Sequence, residues 1–221
     1  MLHRRRWRET SLWLEVFSRE EGKVALIAKG ACRRGKQPPL QPFQPLLLRW
    51  RKKGDLGTLV DSDLLGASPS LQGRALYCGF YLNELLSLLL VRDDPHPSLF
   101  DYYRQALACL SSNADLEPCL RFYELRLLEE IGYAPVLDRE VEYGAGIVSD
   151  RCYRYDPEMG PLLDENGWLH GATLIALQQG ILEDKRVRHE AKRLLRLLID
   201  HQLQGRVLRS RQLFLHHAGK S

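Results

Sequence analysis

Several common protein classes are excluded by what this sequence lacks. The longest apolar run, Leu85 to Val91, is interrupted by Ser87 and is far too short to cross a bilayer. The Arg-rich beginning leads into strand-like alternation and not into an apolar signal core, so cytoplasm is the expected compartment. The five cysteines (Cys32, Cys78, Cys109, Cys119 and Cys152) include no CxxC pair and show no metal-binding spacing. There is no phosphate-binding Gly-Lys-Ser/Thr loop and no GxGxxG, GxSxG or HExxH motif. The seven histidines are scattered, and the neighbours Glu129 and Glu130 do not face each other on a helix. These absences lower the odds of an enzyme, and no catalytic residue and no cofactor are assigned.

What is present is charge, in order along the chain. Residues 1–53 hold 14 Lys and Arg against 4 Asp and Glu, a net charge of +10. Residues 54–184 hold 8 against 22, a net of −14, and residues 185–221 hold 10 against 2, a net of +8. A polyanion is drawn to both ends and repelled by much of the middle. The basic residues near the start are clustered: Arg4, Arg5, Arg6 and Arg8, then Lys29, Arg33, Arg34 and Lys36, then Arg49, Arg51, Lys52 and Lys53. One charge run is usually a solvated surface. Three runs framing successive strand signals fit a groove that tracks a phosphate backbone.

Those strand signals are short and alternating. Residues 11–17 place Leu12, Leu14 and Val16 on one face and Trp13 and Phe17 on the other. A strand over 23–29 follows the turn signal Glu21-Gly22. Residues 30–42, rich in Gly and Pro, form a loop; residues 43–50 and 56–60 are further strands. Four to five short strands in about 65 residues are economically arranged as a small closed or partly open barrel. From Leu71 the apolar period becomes three to four, which predicts helices over 71–91, 98–110 (Ser98 as N-cap) and 117–131, connected as a bundle. Residues 133–170 are irregular, with one or two strands. A short helix over 173–178 and a long one over 185–202 follow, and the tail 208–214 is basic and amphipathic. The fold class is α+β, with domains expected at 1–67, at 68–132 together with 171–221, and at 133–170.

Some of these residues carry a family resemblance. They are Leu2-His3, Trp7-Arg8-Glu9-Thr10-Ser11-Leu12, Ala28-Lys29-Gly30-Ala31, Leu40-Gln41-Pro42-Phe43 and Pro45-Leu46-Leu47-Leu48, then Leu76-Tyr77 and Tyr81-Leu82-Asn83-Glu84-Leu85-Leu86. Arg121-Phe122-Tyr123-Glu124-Leu125, Gly132-Tyr133 and Ser210-Arg211-Gln212-Leu213-Phe214 complete the set. Each is weak alone. In this order, over nearly the whole chain, they resemble the bacterial recombination and repair mediators of the RecO family, most closely the gammaproteobacterial members. The resemblance implies an N-terminal OB-fold, a central helical domain and a C-terminal region packed back on it. It implies a non-catalytic, nucleoid-associated protein that binds single- and double-stranded DNA and anneals complementary strands. It also implies cooperation with RecR to load RecA on DNA coated by single-stranded-DNA-binding protein. Many members carry a four-cysteine zinc site; residues 133–155 hold only Cys152, so no zinc is expected. Packing of Tyr133, Tyr143, Tyr153 and Tyr155, or hydrogen bonds, must then hold this region.

Two sites are expected. The DNA surface comprises Arg4, Arg6, Arg8, Lys29, Arg33, Arg34, Lys36, Arg51, Lys52 and Lys53. Trp7 and Trp50 are candidates for base stacking, whereas Trp13 is expected in the barrel core. The resemblance further implies a helical-domain site for the acidic, hydrophobic-ended tail of single-stranded-DNA-binding protein. Such a tail needs an apolar pocket with a cation for its carboxylate. Arg121 is the candidate cation, assisted by Arg188 and Lys192, with Leu195 in the wall; the bland reading of Arg121 is an intrahelical pair with Glu117 or Glu124. The rival functions are an RNA-binding or scaffold protein on the same barrel and bundle, and a nuclease, which needs clustered carboxylates around a metal.

Overall fold

The computed structural model describes residues 1–32, 40–112 and 115–218, with backbone alone for Lys53 and residues 215–218. The chain runs β1 (His3–Trp7), β2 (Ser11–Ser18), β3 (Gly22–Ala28), β4 (Leu46–Lys53), β5 (Leu56–Leu64), α1 (Gly73–Leu89), α2 (Pro97–Ser111) and α3 (Leu116–Glu130). It continues with β6 (Cys152–Asp156), β7 (Gly160–Leu163), β8 (Leu169–His170), α4 (Gly171–Gln179), α5 (Lys185–Leu203) and α6 (Ser210–Ala218). These elements form two compact units, Met1–Ala114 with Leu208–Ser221, and Asp115–Val207. The class is α+β, as the sequence predicts. Among the described residues no helix is long and apolar enough to cross a membrane.

The first unit is built on a five-stranded sheet of order β1-β2-β3-β5-β4. Its neighbours are antiparallel except β3 and β5, which are parallel. This is the strand order of an OB-fold barrel left open between β1 and β4. On the open side the chain before β4 still touches the N-terminus, where Phe43 N–H donates to the Met1 carbonyl at 3.0 Å. The interior follows from alternation: Leu14, Val16, Val24, Leu26, Ala28 and Leu59 form the core, with Leu12, Leu46, Leu48 and Trp50 packed on it. Each large apolar side chain fully buried in this way contributes about 1.5–3 kcal/mol.

Three sequence readings change here. The first strand lies inside the first arginine cluster, where no apolar alternation marks it; β1 pairs with β2 from His3↔Glu15 to Trp7↔Ser11. Trp13 is not in the core. Its place between Leu12 and Leu14 sends it to the opposite face, half-buried beneath Arg5. Trp50, next to a register shift at Arg49/Trp50, takes a position against the core instead. The β2–β3 turn is a three-residue loop, Arg19 to Glu21, ended by Gly22 at φ 66°. A Cβ on Gly22 would lie 1.9 Å from the Asp94 carbonyl oxygen, so glycine is required.

Helix α1, which buries Leu82, Leu85 and Leu86, is tied to the sheet strands and the N-terminus through polar groups. Asn83 donates to the Leu2 carbonyl at 2.8 Å and accepts from the Tyr103 hydroxyl at 2.5 Å. Lys23 donates to the Ser87 carbonyl at 2.5 Å, and the Ser87 hydroxyl donates to Glu15. Leaving one such buried group unpaired costs about 1–3 kcal/mol. Burial pushes the Tyr103 hydroxyl pKa up. Helix α2 starts with Pro97 after an N-cap at His96 whose side chain makes no capping bond, so Ser98 is not its cap. The Glu84 carboxylate accepts from the Arg209 and Ser210 amides at 2.9 and 2.8 Å, and Phe214 meets Tyr77 edge-on, which fixes α6 on α1.

The second unit packs α3, α4 and α5 with a three-stranded sheet of order β7-β6-β8. Asp115 caps α3 and Asp184 caps α5, each accepting from backbone amides. The region expected to be irregular is held by both predicted means. Tyr153 and Tyr155 are buried, with Tyr153 accepting from Val148 N–H and Tyr155 donating to the Val136 carbonyl. Tyr133 and Tyr143 are exposed and hold nothing together in that way. The buried Glu140 carboxylate accepts from the amides of Glu142, Tyr143 and Ala145 at 2.8, 2.7 and 3.1 Å. Burial alone would raise its pKa, but these backbone donors outweigh it and hold the carboxyl below its usual range.

Candidate nucleic-acid interface

A groove of about 940 Å³ opens at one end of the barrel, where the β1–β2 turn, the end of β3 and the start of β5 meet. Arg8 and Lys29 supply its cations, Trp7 and Leu56 its apolar surface, and Thr10 and Thr58 its hydroxyls. Arg8 has φ 56°, a left-handed conformation that costs a non-glycine residue about 1–2 kcal/mol. Such local strain clusters where a loop must aim a side chain at a ligand. The turn is tied down by Cys32 N–H donating to the Thr10 carbonyl at 3.0 Å. Arg51 lies directly across from Thr58 in the β4–β5 ladder. Arg6, Arg8, Lys29 and Arg51 are all exposed, with no ion pair among the described residues.

The groove continues onto an aromatic face. Residues His3, Arg5 and Trp7 alternate along one side of β1, and Arg5 sits opposite Trp13 in register. The Arg5 guanidinium stands 4.7 Å from the Trp13 ring centre and 5.9 Å from that of Trp7. His3 meets Trp13 edge-on at 6.4 Å. Trp7 thus belongs both to the groove and to this ladder, and it is 37% exposed. Guanidinium planes and indoles in alternation suit nucleic-acid bases, every one of which has a π-face. Arg5 and Trp13 are the interface residues that sequence reasoning missed. The signal was available in the i, i+2 spacing of Arg5 and Trp7, once β1 is recognised as a strand.

The other expected DNA residues divide. Arg4 donates to the Leu40 carbonyl at 3.0 Å, and Lys52 is paired with Asp93 at 2.7 Å. Arg33, Arg34 and Lys36 lie outside the described residues, as does the side chain of Lys53. Trp50 packs on the barrel core, where Gly57 leaves room for its ring.

The cations assigned to the acidic tail gather on the α3 and α5 helices, each already with an acidic neighbour. Arg121 is 4% exposed and bonds Glu124 at 2.8 Å, the intrahelical pairing that the bland reading describes. Arg188 meets Asp115 at 2.5 Å and Lys192 meets Glu117 at 2.6 Å. The Lys192 ammonium holds the Glu117 carboxyl below its usual range, with Arg121 a further favourable charge. Leu195 is fully buried. Elsewhere, in the first unit, an apolar cavity of about 750 Å³ is lined by Phe17, Phe43, Leu65, Phe100 and Leu107 and has Arg104 in its wall. Among the described residues no group of three or more His, Cys, Asp or Glu side chains is placed to hold a metal ion.

Residues 1–67 match the family described as "Recombination protein O N terminal", and residues 70–212 match "Recombination protein O C terminal". The DNA repair protein RecO of Methylococcus capsulatus is 48% identical over 219 residues, covering 97% of this chain and 90% of the relative. That of Halorhodospira halophila is 45% identical over 222 residues, covering 97% and 94%. That of Marinobacter nauticus is 41% identical over 230 residues, covering 98% and 92%.

Proposed function

This chain belongs to the Recombination protein O family, and from that premise we propose that it is a DNA repair and recombination mediator that works by binding, without bond chemistry. It binds single- and double-stranded DNA, anneals complementary strands, and with RecR helps load RecA on DNA coated by single-stranded-DNA-binding protein. The observation that carries the DNA-binding part is the groove in which the strained Arg8 and Lys29 flank Trp7, continued by the Arg5–Trp13 ladder. Arg6 and Arg51, exposed and without ion pairs, extend its positive field, and Arg33, Arg34, Lys36 and Lys53 belong to the same basic run. The cations neutralise phosphates and release counterions, while the aromatic groups hold bases without reading sequence.

Annealing follows when one protein carries two strands, which screens their repulsion and raises their local concentration. The test is strand annealing without added metal or nucleotide, alongside salt-dependent binding of single-stranded DNA, double-stranded DNA and RNA. Annealing that falls steeply with salt supports the reading; preference for RNA with no annealing overturns it in favour of an RNA-binding protein.

For the acidic tail, two sites are in competition. At the α3–α5 site the tail carboxylate must replace Glu117 or Asp115 as partner of Lys192 or Arg188, since Arg121 is buried. The Arg104 cavity already combines an apolar wall with an exposed cation, and this supports it as the second reading. A labelled tail peptide separates them: Lys192→Ala weakens binding in the first case and Arg104→Ala in the second. If neither does, both sites are wrong.

A further inference from the structure

Helix α5 carries its cations on two different faces. Arg188 and Lys192 lie beside the core and are matched by Asp115 and Glu117 of the α3 N-terminus. Arg186, His189, Arg193 and Arg196 recur at i, i+3, i+7 and i+10, which places them on one stripe. That stripe lies opposite the buried positions Val187, Ala191, Leu194 and Leu198. All four stripe residues are exposed, and among the described residues none has an ion pair. Asp200 stands at the far end of the same stripe, and Glu190 is turned aside, buried against His170 and Thr173. The compact unit Asp115–Val207 holds 12 Lys and Arg against 17 Asp and Glu, so the stripe is a basic line on an otherwise acidic body. One member is also held in place: the Arg193 guanidinium lies 4.1 Å from the ring centre of the half-buried Trp168.

A solvated helix face needs no such arrangement. Solvated cations on a surface rich in carboxylates tend to find partners, as Arg188 and Lys192 do. Here three guanidinium groups, with His189 among them, are left in line over about 15 Å of helix, a length that accommodates a few successive phosphates of one nucleic-acid strand. Guanidinium groups match phosphate geometry, and a stacked guanidinium is already oriented when the phosphate arrives. An indole under it also offers a face to a base.

We propose that the outer stripe of α5, with Trp168 beneath Arg193, is a second DNA-binding site that holds the backbone of the complementary strand while the barrel groove holds the first. This rests on the annealing reading given above and supplies the place for its second strand.

The test uses the full chain with Arg186, Arg193 and Arg196 all changed to Gln, and a separate Trp168→Leu variant. Two measurements are made: the number of single strands bound per protein at saturation, and the rate of annealing of complementary oligonucleotides. The triple variant is expected to bind the first strand within about twofold of the parent, to bind one strand instead of two, and to anneal at least tenfold more slowly. Trp168→Leu is expected to give a smaller loss in the same direction. Unchanged stoichiometry and annealing in the triple variant overturns the proposal. So does an equal loss of first-strand affinity, or loss of acidic-tail binding with both DNA steps intact, which makes the stripe a peptide site. If the parent protein binds two strands but does not anneal them, and the triple variant binds one, the stripe stands and the annealing reading fails.

Discussion

The two compact units differ in charge and in how many of their cations are paired. The first, Met1–Ala114 with Leu208–Ser221, holds 20 Lys and Arg against 11 Asp and Glu, a net charge of +9; the second, Asp115–Val207, has a net of −5. In the second, Arg121, Arg126, Arg139, Arg151, Arg188 and Lys192 each meet a carboxylate. In the first, Arg19, Arg49 and Lys52 do so, but Arg8 and Lys29 line a groove without an ion pair, and Arg6 and Arg51 are likewise exposed and unpaired among the described residues. The comparison teaches that a basic run is not yet a binding surface. What marks the barrel is a groove whose cations, Arg8 and Lys29, form no ion pair among the described residues and stand beside the exposed Trp7.

The largest effect that sharpens this contrast is charge reversal in the groove. Arg8→Glu with Lys29→Glu is expected to weaken single-stranded DNA binding on the order of 100-fold at physiological salt, through two lost phosphate contacts and new repulsion. Fluorescence anisotropy with an oligothymidine reads it. Next comes Trp7→Ala, which removes the ring shared by groove and ladder. A stacked base is worth about 1–3 kcal/mol, so a loss of about tenfold is expected, with the salt dependence unchanged because no charge is removed. A changed salt slope would mean that Trp7 positions Arg5 or Arg8 and does not stack.

Acid separates the units by another route. In the second unit Glu117, Glu140, Asp156, Asp184 and Glu190 are all held below their ordinary values. For Glu117 the cause is Lys192; for Asp156 and Asp184 it is backbone amides. For Glu190, burial alone acts upward and is outweighed by hydrogen bonds from Thr173 and His170. In the first unit the corresponding carboxyl is Asp61, held down by Arg49. A carboxyl with a depressed folded pKa lends stability above its unfolded value, and that stability is lost as pH falls through the folded value. Hydrogen exchange should therefore show peptides from 137–203 losing protection below about pH 4.5 before those from 12–64. The reverse order would break the contrast. The smallest effect is that of Lys52→Ala. Because Asp93 already neutralises this residue, affinity for DNA should change less than about twofold, as for other paired surface charges; a large loss would show that the Asp93 pair opens for DNA.

Much of this was legible in the chain. The α+β class, the barrel and the positions of α1 to α5 follow from the change of apolar period at Leu71, and the amphipathic tail expected over 208–214 is where α6 forms. Strand β1 was hidden because its residues, His3 to Trp7, are edge-strand and largely exposed, so no apolar alternation reports them. With β1 unseen, the pairing of Arg5 with Trp13 could not be read, and Trp13 was assigned inward. The ion pairs that close Lys52, Arg188 and Lys192 join residues 41, 73 and 75 positions apart, beyond the reach of local pattern. Likewise, the helices expected as one bundle fall in two compact units, because periodicity tells which face is apolar and not which partner covers it.

The central claim, that the barrel groove is where DNA phosphates are neutralised, is tested most directly by the salt dependence of binding. The logarithm of the single-stranded DNA binding constant should fall linearly with the logarithm of salt concentration. Arg8→Ala with Lys29→Ala should make that slope shallower by about 1.4, two phosphate contacts at about 0.7 each. An unchanged slope in a folded double variant would contradict the account and move the DNA away from the groove.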